Sequence, residues 1–341
     1  MFNEPPYAER HVRWCERTVR EIIPYFLLDL TGFKDFARLT GFSFAGGCLR
    51  SFYERQYQGS ILFNCEFGII KRTIMNTILK VTLWLIGIFM AIYMTICCFF
   101  YFSQDDLIFR RMRYPTGYRY NFQAAYKEYN IKTADGNIVN GVLFMTPKSK
   151  GIIFYLHGNG GTIDSWHTVV FHYNNLGYDV FMPDYPGYGK STGHIKSQQQ
   201  LFDAVKMAYQ HVKTLYPENQ IVILGYSIGT GPAAWLAAQN HPRRLILLAP
   251  YYSLADEAKT LYPFLPSFIL KYQFNTYKYI QHTTTPITIF HGDVDELIDH
   301  TSSIRLKKYF KPGDRLIILK GQQHNGIDEN GDYLDSLKKI L

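Results

Sequence analysis

At 341 residues, the chain is longer than a single hydrophobic core usually serves, which implies one large domain with an appendage, or two domains. With 47% hydrophobic, 16% aromatic and 19% charged residues it carries ample core material and is not a compositionally disordered chain. The formal net charge of +8 comes from Lys and Arg scattered along the whole sequence, without the basic run of a nucleic-acid stripe, so nucleic acid is not expected as a partner.

The five cysteines, Cys15, Cys48, Cys65, Cys97 and Cys98, all precede residue 99, and no CxxC occurs. Thiol nucleophiles and thiolate metal sites are thereby excluded from the C-terminal part. Residues 1–75 mix charged, aromatic and glycine positions around an amphipathic pattern at 10–30 that Pro24 interrupts, and carry no assignable function. They are read as an N-terminal extension.

Residues 81–103 contain no charge, with Lys80 before them and Asp105 and Asp106 after. At 1.5 Å per residue the run is roughly 34 Å, enough to cross a ~30 Å hydrocarbon core, and it is too long for a cleaved signal peptide. A single uncleaved transmembrane anchor over 76–104 is expected. Cys97 and Cys98 lie inside it as apolar residues.

Beyond the polar stretch 104–122, short apolar runs alternate with longer helical patterns. Strands are predicted at 126–133, 138–146, 151–156, 179–183, 220–225, 244–248, 286–291 and 315–319. Helices are predicted near 161–175, 197–214, 228–239, 300–310 and 331–341. A hairpin about Asp135 and Gly136, then strand and helix in alternation, describes an α/β fold: a mostly parallel eight-stranded sheet with helices on both faces, spanning 105–341. Chemistry in such sheets collects at the strand C-termini.

The strand at 220–225 ends in Gly225, Tyr226, Ser227, Ile228, Gly229, a GxSxG followed at once by small residues in helical order. That pattern suits a tight strand-to-helix turn presenting Ser227 Oγ at the sheet edge. Serine needs an adjacent base that is itself oriented by a carboxylate. His324 follows the last strand and Asp295 the one before it, both on the rim of Ser227, with Asp293 a competitor for the acid; His211, His241 and His282 flank helices and loops. Two backbone donors for an oxyanion are expected at Asn159, in the loop His157-Gly158-Asn159-Gly160-Gly161, and at Ile228. His157 reads as a structural residue of that turn. GYGKS lacks the first glycine of a phosphate loop and GNGGTI the last position of a dinucleotide fingerprint, so neither a nucleotide cofactor nor a metal is expected.

Together the HGNGG loop, DYPGYGKS at 184–191, GYSIG, HGDVDELI and GQQHNG resemble, in family order, the α/β-hydrolase superfamily, and within it the membrane-anchored Bem46-like branch that includes the mammalian α/β-hydrolase-domain proteins of subtypes thirteen and seventeen, often described as serine aminopeptidase-like. The resemblance covers about 105–341 and implies Ser227 as nucleophile, His324 as base and Asp295 as acid. It also implies that 251–285, between the sixth and seventh strands, is a short lid whose Tyr262, Phe264, Leu265, Phe268 and Phe274 either line an acyl pocket or pack the lid onto the body.

The expected function is a membrane-anchored serine hydrolase cleaving an ester, thioester or amide through an acyl-enzyme, with a small or lipid-like acyl substrate. A peptidase acting at free amino termini is the alternative enzyme, and a catalytically silent scaffold the non-enzymatic one. Flanking charge slightly favours a cytoplasmic hydrolase domain, with Lys71, Arg72 and Lys80 against Arg110, Arg111, Arg113 and Arg119. Lys80 abuts the apolar run directly, however, and a start at Met75 would leave an ordinary signal-anchor arrangement, so the non-cytoplasmic side is expected.

Overall fold

The computed structural model describes residues 46–341 apart from Thr116, with side chains from Phe67 onward. The amphipathic pattern at 10–30 lies outside the described residues. Two compact units divide the chain between Tyr93 and Met94. The described part of the first is helical throughout: it belongs to α1, Gly46–Ile108, within which Phe67–Ile108 is long and apolar enough to cross a membrane.

The second unit takes in the last turns of α1 and everything after. Its strands are β1 (Tyr126–Lys132), β2 (Ile138–Phe144), β3 (Ile152–Leu156), β4 (Asp179–Pro183), β5 (Ile221–Tyr226), β6 (Arg244–Leu248), β7 (Ile287–Gly292) and β8 (Arg315–Leu319). Interleaved helices are α2 (Ile163–Trp166), α3 (Val170–Asn175), α4 (Gln198–Lys213), α5 (Thr230–Ala237), α6 (Leu254–Leu261), α7 (Thr276–His282), α8 (Thr301–Leu306) and α9 (Gly331–Ile340). The strands form one sheet in the order β1-β2-β4-β3-β5-β6-β7-β8. β1 and β2 pair antiparallel, as do β2 and β4, and every other pair is parallel.

Both faces of this sheet are covered, which is why its central strands read as unbroken apolar runs. Ile152, Phe154, Ile223 and Leu245 point to one face, packed under α4, α5 and α7 through residues such as Leu201, Ala233 and Ile280. Their neighbours Ile153, Tyr155, Val222 and Ile246 point to the other, against Val170 and Tyr173 of α3 and Tyr333 and Leu337 of α9. At ~25 cal/mol per Å² of apolar surface, this two-sided burial dominates the stability of the sheet.

One feature departs from the sequence reading. The anchor was read as 76–104, yet α1 runs on through Asp105 and Asp106 to Ile108. The polar residues continue the helix because they have partners. Gln104 donates to the carbonyl of Ile269 at 3.1 Å and accepts from Lys271 N–H at 2.7 Å. Asp105 accepts from Tyr272 Oη at 2.8 Å and pairs with Lys271 at 3.2 Å. α1 ends where the Asn159 side chain takes over: its Nδ2 donates to the carbonyl of Ile108 at 2.6 Å, and its Oδ1 accepts from Arg110 N–H at 3.0 Å.

Candidate active site

The turn from β5 into α5 is tightly constrained at Gly225, Ser227 and Gly229. Ser227 has φ of 51°, in the left-handed region that non-glycine residues avoid. Such strain persists only where surroundings enforce it, and it concentrates at functional sites. The flanking glycines supply the room: a Cβ at Gly225 would lie 2.6 Å from the carbonyl of Gly229 and 2.7 Å from Ala233 Cβ, and one at Gly229 would collide with the carbonyl of Leu156. β5, α5 and β3 therefore meet backbone to backbone around the serine. Thr230 Oγ1 closes the turn by donating to the carbonyl of Ser227 at 2.6 Å.

The loops after β7 and β8 bring the other two predicted residues to the same rim. His324 Nε2 lies 3.0 Å from Ser227 Oγ, and its Nδ1 lies 2.8 Å from Asp295 Oδ2. Asp295 Oδ1 accepts from the N–H groups of Leu297 at 2.9 Å and Ile298 at 2.8 Å, so this carboxylate is fully engaged, and its side chain is shut off from solvent. Burial pushes the Asp295 carboxyl up, but the hydrogen bonds from His291, His324 and Ile298 N–H outweigh it and hold it well below the usual carboxylate range. Asp293, the competitor, faces away: its Oδ1 accepts from Gly321 N–H at 2.6 Å.

A carboxylate on Nδ1 holds the proton there and leaves Nε2 as an acceptor facing Ser227 Oγ. Ile228 is the second residue of the short 3-10 turn Ser227–Gly229, so its N–H has no partner within that turn. Asn159 lines the cavity beside Ser227 together with Ile228. Gly160 and Gly161, at φ of 77° and 75°, turn that loop, and Trp166 Nε1 braces it by donating to the carbonyl of Gly160 at 3.0 Å. His157 is buried within the turn, its Nδ1 2.8 Å from the carbonyl of Gly158 and its Nε2 3.5 Å from Asp184. His241 and His282 are exposed, whereas His211 packs its ring 4.5 Å from that of Tyr129.

Several residues around the site were not singled out from the sequence. His291, fully buried at the end of β7, lies 3.2 Å through Nε2 from Asp295 Oδ2 and 2.8 Å from the carbonyl of Ile298, while its Nδ1 is 2.6 Å from Ser303 Oγ. It therefore meets the same carboxylate oxygen as His324 and helps to hold it in place. The HGD spacing was the available signal. Glu296 accepts from His324 N–H at 3.1 Å, and Tyr226 Oη donates to the carbonyl of His324 at 2.5 Å, so the backbone of the histidine loop is held at both ends. No group of three His, Cys, Asp or Glu side chains able to hold a metal ion occurs among the described residues.

Ser227 and Ile228 form the floor of a cavity of about 290 Å³. Its walls come from the last turns of α1 (Phe100, Gln104, Leu107) and from α6 and the segment after it (Leu254, Tyr262, Leu265, Ile269). Of the five lid aromatics and aliphatics weighed from the sequence, Tyr262 and Leu265 line this cavity, while Phe274 is buried in the core, stacked with Phe202 at 5.5 Å.

A doubly covered, mostly parallel eight-stranded sheet with a serine on its central strand-to-helix elbow and a short lid after the sixth strand defines an α/β-hydrolase-fold protein. The family model for the alpha/beta hydrolase fold matches residues 151–272, and the chain has that fold. Among curated proteins it is similar to alpha/beta hydrolase domain-containing protein 17B of Homo sapiens, 28% identical over 218 residues that cover 62% of this chain and 73% of that protein. It is likewise similar to protein 17C of Mus musculus, 28% identical over 209 residues covering 59% and 63% respectively. Among solved structures an esterase from Pyrococcus furiosus superposes with a TM-score of 0.54 at 19% identity, covering 67% of this chain and 95% of its own. Est1E of Butyrivibrio proteoclasticus, with ferulic acid bound, gives 0.51 at 21% identity, covering 62% and 95%. These two share the fold.

Proposed function

We propose that the chain is a membrane-anchored serine hydrolase that cleaves an ester or thioester bond. Ser227 Oγ attacks the carbonyl carbon while His324 Nε2 takes its proton, and the N–H groups of Ile228 and Asn159 receive the negative charge that develops on the carbonyl oxygen. Collapse of the tetrahedral intermediate expels the alcohol or thiol with the proton from His324. Water, deprotonated by the same nitrogen, then releases the acid and regenerates Ser227. Asp295, held ionised by His291 and two backbone donors, keeps His324 in the required tautomer.

The observation that carries this reading is the contact chain Ser227 Oγ, His324 Nε2, His324 Nδ1, Asp295 Oδ2, at 3.0 Å and 2.8 Å, opening into a largely apolar cavity. A peptidase acting at free amino termini needs an ionised acid to meet the amine. Glu257 is the one carboxylate lining the cavity, and its Oε1 is taken by Ser302 Oγ, which donates to it at 3.1 Å; this favours ester or thioester over amine-directed cleavage. A silent scaffold has no need of an aligned serine and histidine.

Fluorophosphonate labelling tests the reading: the chain should be labelled at Ser227 and Ser227→Ala should not be. Labelling of the alanine variant would refute it. For the anchor, the proposal is a single span with residues 105–341 on the non-cytoplasmic side. Protease added to intact cells should then digest the hydrolase domain, and protection until lysis would reverse the orientation.

A further inference from the structure

The cavity over Ser227 is not closed by the lid alone. Phe100 of α1 packs its ring 5.1 Å from that of Tyr262 and 6.1 Å from that of Phe264, and Leu107 adds to the same wall. The polar side of the contact is equally specific. Gln104 bridges the backbone of Ile269 and Lys271, and Lys271 Nζ pairs with Asp105 while lying 5.0 Å over the ring of Tyr101. The lid is thus tied to residues 100–105 of α1, which is where the uncharged run 81–103 gives way to charge.

That height along the helix has a consequence. If 81–103 occupies the hydrocarbon core, Phe100 lies just inside its edge, and the lid residues packed on Phe100 are held at the boundary between acyl chains and headgroups. The chemistry of the segment fits that zone: Tyr101 and Tyr262 are amphipathic aromatics of the kind that gather at membrane interfaces, and the Lys271–Asp105 pair sits at the charged side. On the lid itself Phe268 is 84% exposed and Leu261 68%, large apolar side chains that the rest of the protein leaves uncovered.

We propose that the lid segment 261–270 docks on the lipid surface that α1 enters, and that the cavity draws the acyl chain of a membrane-resident ester or thioester directly from that surface. The proposal rests on the hydrolase reading above. α1 is then part of the substrate site as well as an anchor, since without Phe100 and Leu107 the cavity over Ser227 lacks one wall. The lipid surface, rather than a second copy of the chain, is the occupant argued for because the apolar rim adjoins the helix that carries the membrane-spanning run.

The test uses the full chain reconstituted in phosphatidylcholine vesicles, with Phe268 as the reporter because it is exposed and does not line the cavity. With Phe268→p-benzoyl-L-phenylalanine, illumination should give a phospholipid adduct on the lid peptide. An adduct to a second copy of the chain, or no adduct, would overturn the proposal. In parallel, Phe268→Asp should lower hydrolysis of a vesicle-embedded long-chain umbelliferyl ester by at least about tenfold, the scale of withdrawing one phenylalanine from an apolar contact. Its hydrolysis of a soluble short-chain umbelliferyl ester should stay near that of the parent. Equal effects on the two esters would count against the proposal. Should the parent protein hydrolyse neither ester while the lipid adduct still forms, the hydrolase reading fails and the docking stands.

Discussion

Replacing Asp295 with asparagine keeps the size of the side chain and removes only its charge, so the consequence follows from hydrogen-bond directions. Oδ1 accepts from two backbone N–H groups, at 2.9 Å and 2.8 Å, while Oδ2 faces His324 Nδ1 at 2.8 Å and His291 Nε2 at 3.2 Å. In Asp295→Asn the amide oxygen stays with the two backbone donors, because the reverse orientation would leave both unsatisfied at about 1–3 kcal/mol each. The amide nitrogen then points at His324 Nδ1 and donates to it. His324 must carry its proton on Nε2, where it faces Ser227 Oγ and takes up nothing. The loss expected for a triad histidine locked in the wrong tautomer is up to about 10⁴-fold in kcat, or roughly 5 kcal/mol of transition-state stabilisation. Asp293→Asn keeps the oxygen that accepts from Gly321 N–H and should cost less than about threefold. Single-turnover hydrolysis of a short-chain umbelliferyl ester, with the fluorophosphonate labelling rate alongside, measures both variants. An Asp295→Asn enzyme within tenfold of the parent, or a larger loss for Asp293→Asn, would refute the assignment of the acid.

Other expectations follow from the same contacts. Ser227→Ala should abolish hydrolysis with the fold intact by circular dichroism, and because the residues act as a unit, adding His324→Ala should lower kcat little further. His291→Asn removes the second support of Asp295; kcat should fall by about ten- to a hundredfold with KM nearly unchanged, a split that simple loss of stability would not produce, and an unchanged kcat would show that His291 does not position the carboxylate. Gly229→Ala forces a Cβ onto the carbonyl of Leu156, and chemical denaturation should register at least about 2 kcal/mol of destabilisation. Glu257, whose pKa burial raises, disfavours the folded state once the unfolded chain ionises above about pH 4.3. Glu257→Gln should therefore gain melting temperature relative to the parent at pH 7 and not at pH 4; a gap that is constant with pH would contradict the shift.

How far the sequence reached depends on the range of the interactions involved. The strands β3, β5, β6 and β7 are legible because burial on both faces writes itself into consecutive residues such as Ile221, Val222, Ile223 and Leu224. The elbow at Ser227 is legible because Gly225 and Gly229 are demanded by backbone collisions only a few residues apart or on the neighbouring strand. The order of the motifs, with each after its own strand, put Ser227, His324 and Asp295 on one rim before any coordinates.

Only the tertiary structure could decide the rest, since it depends on contacts between residues far apart in the chain. Nothing local in Gln104 or Asp105 announces that α1 continues past them; their partners at Ile269, Lys271 and Tyr272 lie more than 160 residues away. Asn159 was read for its backbone N–H, yet its side chain also terminates α1 across 51 residues. The choice between Asp295 and Asp293, two residues apart on one loop, turns on a direction in space that alternation along the chain cannot specify. The cavity likewise exists only where α1 and the lid close over β5, because a concave apolar surface is a property of packed elements and not of any one of them.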